Sequence, residues 1–297
     1  VKFSIFQESR IGKRKINQDR MNYTYTRDAL LMVVADGMGG HLYGEVAAQI
    51  TVQTITEAFK SLARTTLADP LLFLSRTISQ AHLAINRHAG ERGLADAPRT
   101  TCIVCIVQND VAYWAHVGDS RLYVIRNKQI LLQTRDHSHV KLLIEQGLID
   151  QAAAANHPAR NLVYSCLGGP NPPEIEFSRK TPLQKDDIIA LCTDGVWAPF
   201  KDDTLLHTLS SATPMESVPH LLDLAEKAAG SHSDNLTLMA MQWESALAEP
   251  SNFSTSVQAA PRPANNSVNL ADTLTSATPL TAPQAAPETD ENKPKSA

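Results

Sequence analysis

Five aspartates are the residues of this chain whose type and setting point most directly to chemistry. Asp36 follows the apolar run 30–35 and opens the string Asp36-Gly37-Met38-Gly39-Gly40-His41. Asp119 follows an apolar segment ending at His116, within Gly118-Asp119-Ser120-Arg121. Asp194 closes the run 188–193 and precedes Gly195. Asp234 comes just before the run 236–241, and Asp19 just before 21–26. A carboxylate at the mouth of a buried strand is partly desolvated, and several brought together repel and hold protons more readily. A divalent cation relieves both problems, and carboxylate oxygens are hard ligands suited to Mg2+ or Mn2+. Gly37 and Gly195 permit tight turns and let backbone carbonyls approach a metal or its water. A single Asp-Gly after a strand is most often only a turn, and spacing does not by itself bring the five together.

The elements that must position them can be read from periodicity. Residues 1–8 alternate apolar and polar, which predicts a strand and not a signal peptide. Residues 30–35 read as a buried strand, and 45–62 and 70–88 as helices. Four strands are expected at 101–107, 111–116, 121–125 and 129–133. Asn109-Asp110 and Asn127-Lys128 supply two-residue turns between them, which argue antiparallel pairing. A short helix over 140–146 ends at Gly147, and 148–172 reads as irregular. Strands at 188–192 and 236–241 enclose helices at 204–209 and 215–229. The pattern is α+β, an antiparallel sheet system with helices segregated onto its faces.

Composition bounds the function further. The 297 residues carry 27 Lys+Arg against 31 Asp+Glu, a net charge of −4, so no basic face for nucleic acid is expected. The apolar runs 29–35 and 102–107 are far short of the roughly 20 residues of a membrane span, so no membrane partner is expected. Cys102 and Cys105 form a C-x-x-C that no second pair completes into a zinc site, and the cytoplasm is the expected compartment. Seven of the seventeen prolines fall in 245–297, where there is no glycine and Phe253 is the one aromatic. Such a segment cannot bury enough apolar surface to offset its chain entropy. A folded domain over 1–244 and a disordered Pro/Ala/Thr/Ser-rich tail over 245–297 are therefore expected.

Taken together, the motifs resemble the metal-dependent serine/threonine phosphatases of type 2C, in their bacterial form. The strings that carry the resemblance run in the family's order. They are Arg14-Lys15-Ile16-Asn17-Gln18-Asp19, Ala35-Asp36-Gly37-Met38-Gly39-Gly40-His41, Gly44-Glu45-Val46-Ala47, Thr100-Thr101, and His116-Val117-Gly118-Asp119-Ser120-Arg121. Asp136-His137-Ser138, Asn156-His157-Pro158, Thr193-Asp194-Gly195 and Asp234-Asn235 complete the set. The resemblance spans about residues 3–243. It implies a four-layer α-β-β-α sandwich, a central antiparallel β-sandwich flanked by helix pairs, with a two-metal site at one end.

By the same resemblance, Asp36 would bridge two Mn2+ or Mg2+ ions. Asp194 and Asp234 would hold the first, and the Gly37 carbonyl and, through water, Asp19 the second. Asp119 would contribute to a third, weaker ion. Arg14, which read alone among Arg10, Lys13 and Lys15 is a surface charge, would hold the substrate phosphate. The implied reaction is hydrolysis of phosphoserine and phosphothreonine by a metal-activated water, without a phosphoenzyme. Many eukaryotic relatives carry a histidine where this chain has Met38; here the alternatives are His41, a water, or no specific acid at all. His116, His137 and His157 are expected to be hydrogen-bonded structural residues. A mobile flap is implied over 139–165. A monomer acting on phosphoproteins, and opposing a Ser/Thr kinase on its substrates, is expected. A cysteine-dependent phosphatase is argued against, because no cysteine begins a C-x5-R. No P-loop or kinase catalytic string is present either.

Overall fold

Side-chain alternation along the strands sets the layering. A computed structural model of the chain describes residues 1–38, 43–155, 157–200 and 202–244, so the expected tail lies outside the described residues. The strands are β1 (Phe3–Arg10), β2 (Arg20–Tyr25), β3 (Ala29–Ala35), β4 (Cys102–Gln108), β5 (Val111–Val117), β6 (Arg121–Arg126), β7 (Gln129–Gln133), β8 (Glu176–Phe177), β9 (Thr181–Pro182), β10 (Ile188–Cys192) and β11 (Leu236–Trp243). One sheet runs β1-β11-β10-β6-β7 and the other β2-β3-β4-β5-β8, with β9 also on β5. The ladders are antiparallel.

Successive strand residues point to opposite faces, and here both faces of the central strands are apolar. In β3, Leu30, Met32 and Val34 face the other sheet, where they meet Ile189 and Leu191 of β10 and Met239 and Met241 of β11. Leu31, Val33 and Ala35 face outward onto α1 (Gly44–Leu62) and α2 (Pro70–Glu91), against Ile55, Phe59 and Ile78. Ile188, Ala190 and Cys192 of β10 face α5 (Asp194–Trp197), α6 (Asp202–Leu209) and α7 (Pro214–Ala229), against Val196, Leu205 and Leu221. The layers are thus helix, sheet, sheet, helix, with three apolar seams, as the resemblance implied.

Local chemistry sets the element ends. Asn109, Asp110, Asn127 and Lys128 all have φ between 51° and 58°, the left-handed pairs that a type I′ hairpin turn needs. Asp69 caps α2 by accepting from the Leu72 amide at 3.0 Å, with Pro70 in the first turn. Gly147, at φ 70°, ends the short helix α3 (His139–Glu145) as expected. Three features depart from the sequence reading. The irregular stretch 148–172 contains α4 (Gln151–Ala155), β8 and β9 add short edge strands, and the turn at Asp194-Gly195 is the first turn of α5. Cys102 and Cys105 are three apart in one strand, so their thiols lie on opposite faces of the sheet. They cannot hold one metal between them.

Candidate active site

The site lies where β3, β10 and β11 leave or enter the sheets. Asp36 is the first residue past β3, and the threonine pair before β4 clamps its backbone. The Asp36 amide donates to Thr101 Oγ1 at 3.0 Å. Its carbonyl accepts from the Thr101 amide and from Thr100 Oγ1, both at 2.8 Å. Thr101 Oγ1 also lies 2.8 Å from the hydroxyl of Ser120, the neighbour of Asp119. A Cβ on Gly37 would sit 2.3 Å from the Gly44 carbonyl oxygen, so only glycine lets the start of α1 close onto this turn.

Asp194 opens α5, and the same turn supports Asp119. Trp197 Nε1 donates to the Asp119 carbonyl at 3.1 Å, while the Arg121 guanidinium stacks 3.5 Å over the Trp197 ring. Asp234 precedes β11 beside Asn235, whose side chain pins the loop that carries Arg14. Asn235 Nδ2 donates to the Ile11 and Ile16 carbonyls at 2.9 and 3.0 Å, and Asn235 Oδ1 accepts from the Gln18 amide at 2.8 Å. Arg14 reaches from that loop to Asp234, Nη2 to Oδ2, at 2.6 Å.

Asp36, Gly37, Asp119, Asp194, Asp234 and Arg14 line one cleft of about 730 Å³. Asp19 is buried close by, its Oδ2 accepting from Thr193 Oγ1 at 2.9 Å, while its Oδ1 is enclosed without a partner among the described residues. Burial and mutual repulsion raise the proton affinity of the cluster. Burial foremost pushes the Asp36 carboxyl well above the usual range, and Asp19, Asp194, Asp119 and Asp234 add to the shift. Asp119 is also held well above that range, by burial and then by Asp194 and Asp136. Burial pushes Asp19 up to about 7, against hydrogen bonds from Thr237 and Thr193. Asp194 is pushed up to about 6 by burial and by Asp234, against a hydrogen bond shared with Asp36. Carboxylates so placed, one with an orphaned oxygen, form an all-oxygen donor set that fits hard divalent ions.

Other expected residues are placed as follows. His41 lies outside the described residues. His116 Nε2 is 2.7 Å from the Arg135 carbonyl, His137 Nδ1 accepts from the Gly118 amide at 3.3 Å, and His157 Nδ1 accepts from the Ala159 amide at 3.1 Å. With Glu176, His116 and His137 bring ligand-type atoms within 4.8 Å of one another. The Gly118 bond, however, leaves the proton of a neutral His137 on Nε2, 3.5 Å from Glu176. Asn161, Leu162, Val163 and Cys166, in or just past the stretch read as a flap, line the cleft. Arg99, which no motif singled out, lines it too. The sequence signal for it was slight, a lone cation before Thr100-Thr101.

The sequence profile of the family described as Protein phosphatase 2C matches residues 6–229. The serine/threonine phosphatase stp of Listeria monocytogenes is 29% identical over 240 residues, covering 80% of this chain and 94% of that protein. The crystal structure of the serine/threonine phosphatase Stp1 from Staphylococcus aureus superposes with a TM-score of 0.75 at 27% identity, over 82% of this chain and 96% of that one. The catalytic domain of the serine/threonine protein phosphatase PstP, solved with two manganese ions, superposes at 0.69 with 27% identity, over 82% and 99%.

Proposed function

The chain belongs to the protein phosphatase 2C family, and on that premise we infer that it hydrolyses phosphoserine and phosphothreonine in proteins, with Mn2+ or Mg2+ held in the aspartate cleft. The observation that carries this reading is that Asp36, Asp119, Asp194 and Asp234 line one cleft, with the Arg14 guanidinium 2.6 Å from Asp234. When bound, a pair of such ions acidifies a water and neutralises phosphate charge. Asp36 is assigned as the ligand common to both ions, Asp194 and Asp234 to the first, and the Gly37 carbonyl and Asp19 to the second. Asp119 is assigned to a third, weaker ion. Thr100 and Thr101 hold the Asp36 backbone in place at the mouth of β3.

Arg14 is assigned to the phosphoryl oxygens, which a planar guanidinium meets with two parallel hydrogen bonds. Its side chain is half exposed and rests on Asp234, so it reaches substrate and ion cluster alike. Met38 lines the cleft and has no proton to give, so protonation of the departing alkoxide falls to His41, to a water, or to no specific acid. The segment 139–165 is proposed as a flap over the cleft, and residues 1–244 as the catalytic domain with 245–297 a disordered tail. Four free cysteines fit a reducing cytoplasm, and no described helix is long and apolar enough to cross a membrane. A monomer that opposes a Ser/Thr kinase on its substrates completes the reading.

The test is hydrolysis of a phosphothreonine peptide. Turnover is expected with Mn2+, none after chelation, and a loss of about 10³-fold or more in Asp36→Asn, on the order of what a metal-supplied nucleophile contributes. Undiminished turnover in the variant would exclude this mechanism.

A further inference from the structure

The cleft is lined by the acidic Asp36, Asp119, Asp194 and Asp234 and by the cations Arg14, Lys15 and Arg99. Of these cations, Arg14 meets a carboxylate within 4 Å. Arg99 meets none among the described residues, and its Nε is enclosed with no hydrogen-bond acceptor. A buried N–H left unpaired costs stability, so such a group calls for an explanation.

Nor is Arg99 a loose surface side chain, because its backbone is held on two sides by the site itself. The Arg99 carbonyl accepts from the Met38 amide at 3.0 Å. Thr100, next in sequence, exchanges backbone hydrogen bonds with Leu167 at 3.2 and 2.9 Å. Pro98, on the other side, is buried, and a Cβ on Gly168 would sit 2.0 Å from its carbonyl oxygen. With its backbone so held, Arg99 lines the cleft alongside Met38 and Cys166.

Arg14 and Arg99 are not equivalent. Arg14 bonds Asp234 and lowers the proton affinity of Asp194. Arg99 lines the cleft with Cys166, whose thiol it holds down against the effect of burial. Cys166 lies just past the proposed flap, which puts Arg99 near that side of the cleft.

We propose that Arg99 is a specificity-determining residue that receives a second oxyanion of the phosphoprotein substrate, an acidic side chain or a further phosphoryl group next to the phosphoresidue being hydrolysed. The proposal rests on the phosphatase reading above and deepens it. A charge-assisted bond to this guanidinium favours substrates that bring an acidic acceptor beside the phosphoresidue.

Steady-state kinetics with Mn2+ and phosphothreonine peptides of one sequence would test it. The flanking positions are neutral, or carry glutamate, or carry a non-hydrolysable phosphonate. The readout is the ratio of kcat/KM for each acidic peptide to that for the neutral one, which cancels general damage to the enzyme. A preference on the order of tenfold is expected in the unaltered protein, falling to about one in Arg99→Ala and Arg99→Gln and largely restored in Arg99→Lys. Preference in only one acidic arm would identify which oxyanion is the ligand. A ratio near one in the unaltered protein, or one that survives both neutral substitutions, overturns the proposal. Brisk Mn2+-dependent turnover of the neutral peptide with a ratio of one leaves the phosphatase reading standing, whereas no turnover of any peptide removes both.

Discussion

Arg14 joins the two chemistries of the cleft, because its guanidinium lies 2.6 Å from Asp234 while most of its fork is free to meet a phosphate. Replacing it with alanine leaves Asp234 without its countercharge and the phosphoryl group without a planar donor. The expected result for Arg14→Ala is a fall in kcat/KM of about 10²-fold on a phosphothreonine peptide, with only partial recovery in Arg14→Lys, since an ammonium lacks the fork. An unchanged kcat/KM would return Arg14 to the surface-charge reading that its neighbours Arg10, Lys13 and Lys15 suggest. The contrast with Arg99 shows where residue-level reading stops. Arg14 sits in a string with a recognisable order, but Arg99 becomes a cleft residue only through the Thr100–Leu167 pairing, which joins positions 67 apart and leaves no local trace.

Elements, in this molecule, are aimed by small residues at their ends. A Cβ on Gly195 would fall 2.0 Å from the Asn235 carbonyl oxygen and 3.3 Å from Asp234 Cβ. Because the obstacle is backbone, Gly195→Ala is expected to push α5 away from β11, costing about 1–3 kcal/mol of stability and weakening Mn2+ binding, both measurable by thermal and metal titration. Wild-type metal affinity in that variant would show that α5 and β11 need not touch. Most of the elements were legible beforehand because their signals are local. The two Asn-containing turns announced the hairpins, and uninterrupted apolar runs such as 30–35 announced strands buried on both faces. The two-residue strands β8 and β9 are too short for any period to register. Asp194-Gly195 read as a turn because glycine is a poor helix former, and its packing against Asn235 overrides that preference. The convergence of the aspartates followed from the order of the motifs and not from spacing, since strand ends far apart in sequence can leave a sheet on either edge.

Across the whole domain, a buried cluster of acids ties stability to pH. Asp19 and Asp194 titrate near 7 and 6 in the fold against about 3.8 for the free group, so the native state keeps protons that the unfolded chain has released. Their stabilising contribution in ion-free protein is complete below about pH 4 and is lost as pH rises through 6 to 7. His116 and His137, held below their usual range mainly by burial, act in the opposite sense, so the comparison is with Asp19→Asn. Between pH 5 and 7.5 the melting temperature of chelated wild type should fall relative to that variant, and saturating Mn2+ should reverse the trend. A wild type that gains on Asp19→Asn over that interval would contradict the assignment. Ending the chain at residue 244 should leave Mn2+-dependent peptide turnover within about twofold, surface truncations away from a core being nearly neutral; a large loss would give 245–297 a part in the domain.

The sheet holding β10 also pairs the first strand with the last, Phe3 opposite Trp243, and Asn235 anchors the Ile11–Gln18 segment from more than 200 positions downstream. A chain emerging from the ribosome therefore carries β1 without its neighbour until almost the entire domain has been synthesised. Nascent polypeptides stalled short of β11 should be inert toward phosphopeptides however much of the other sheet has formed, so activity waits on the synthesis of β11.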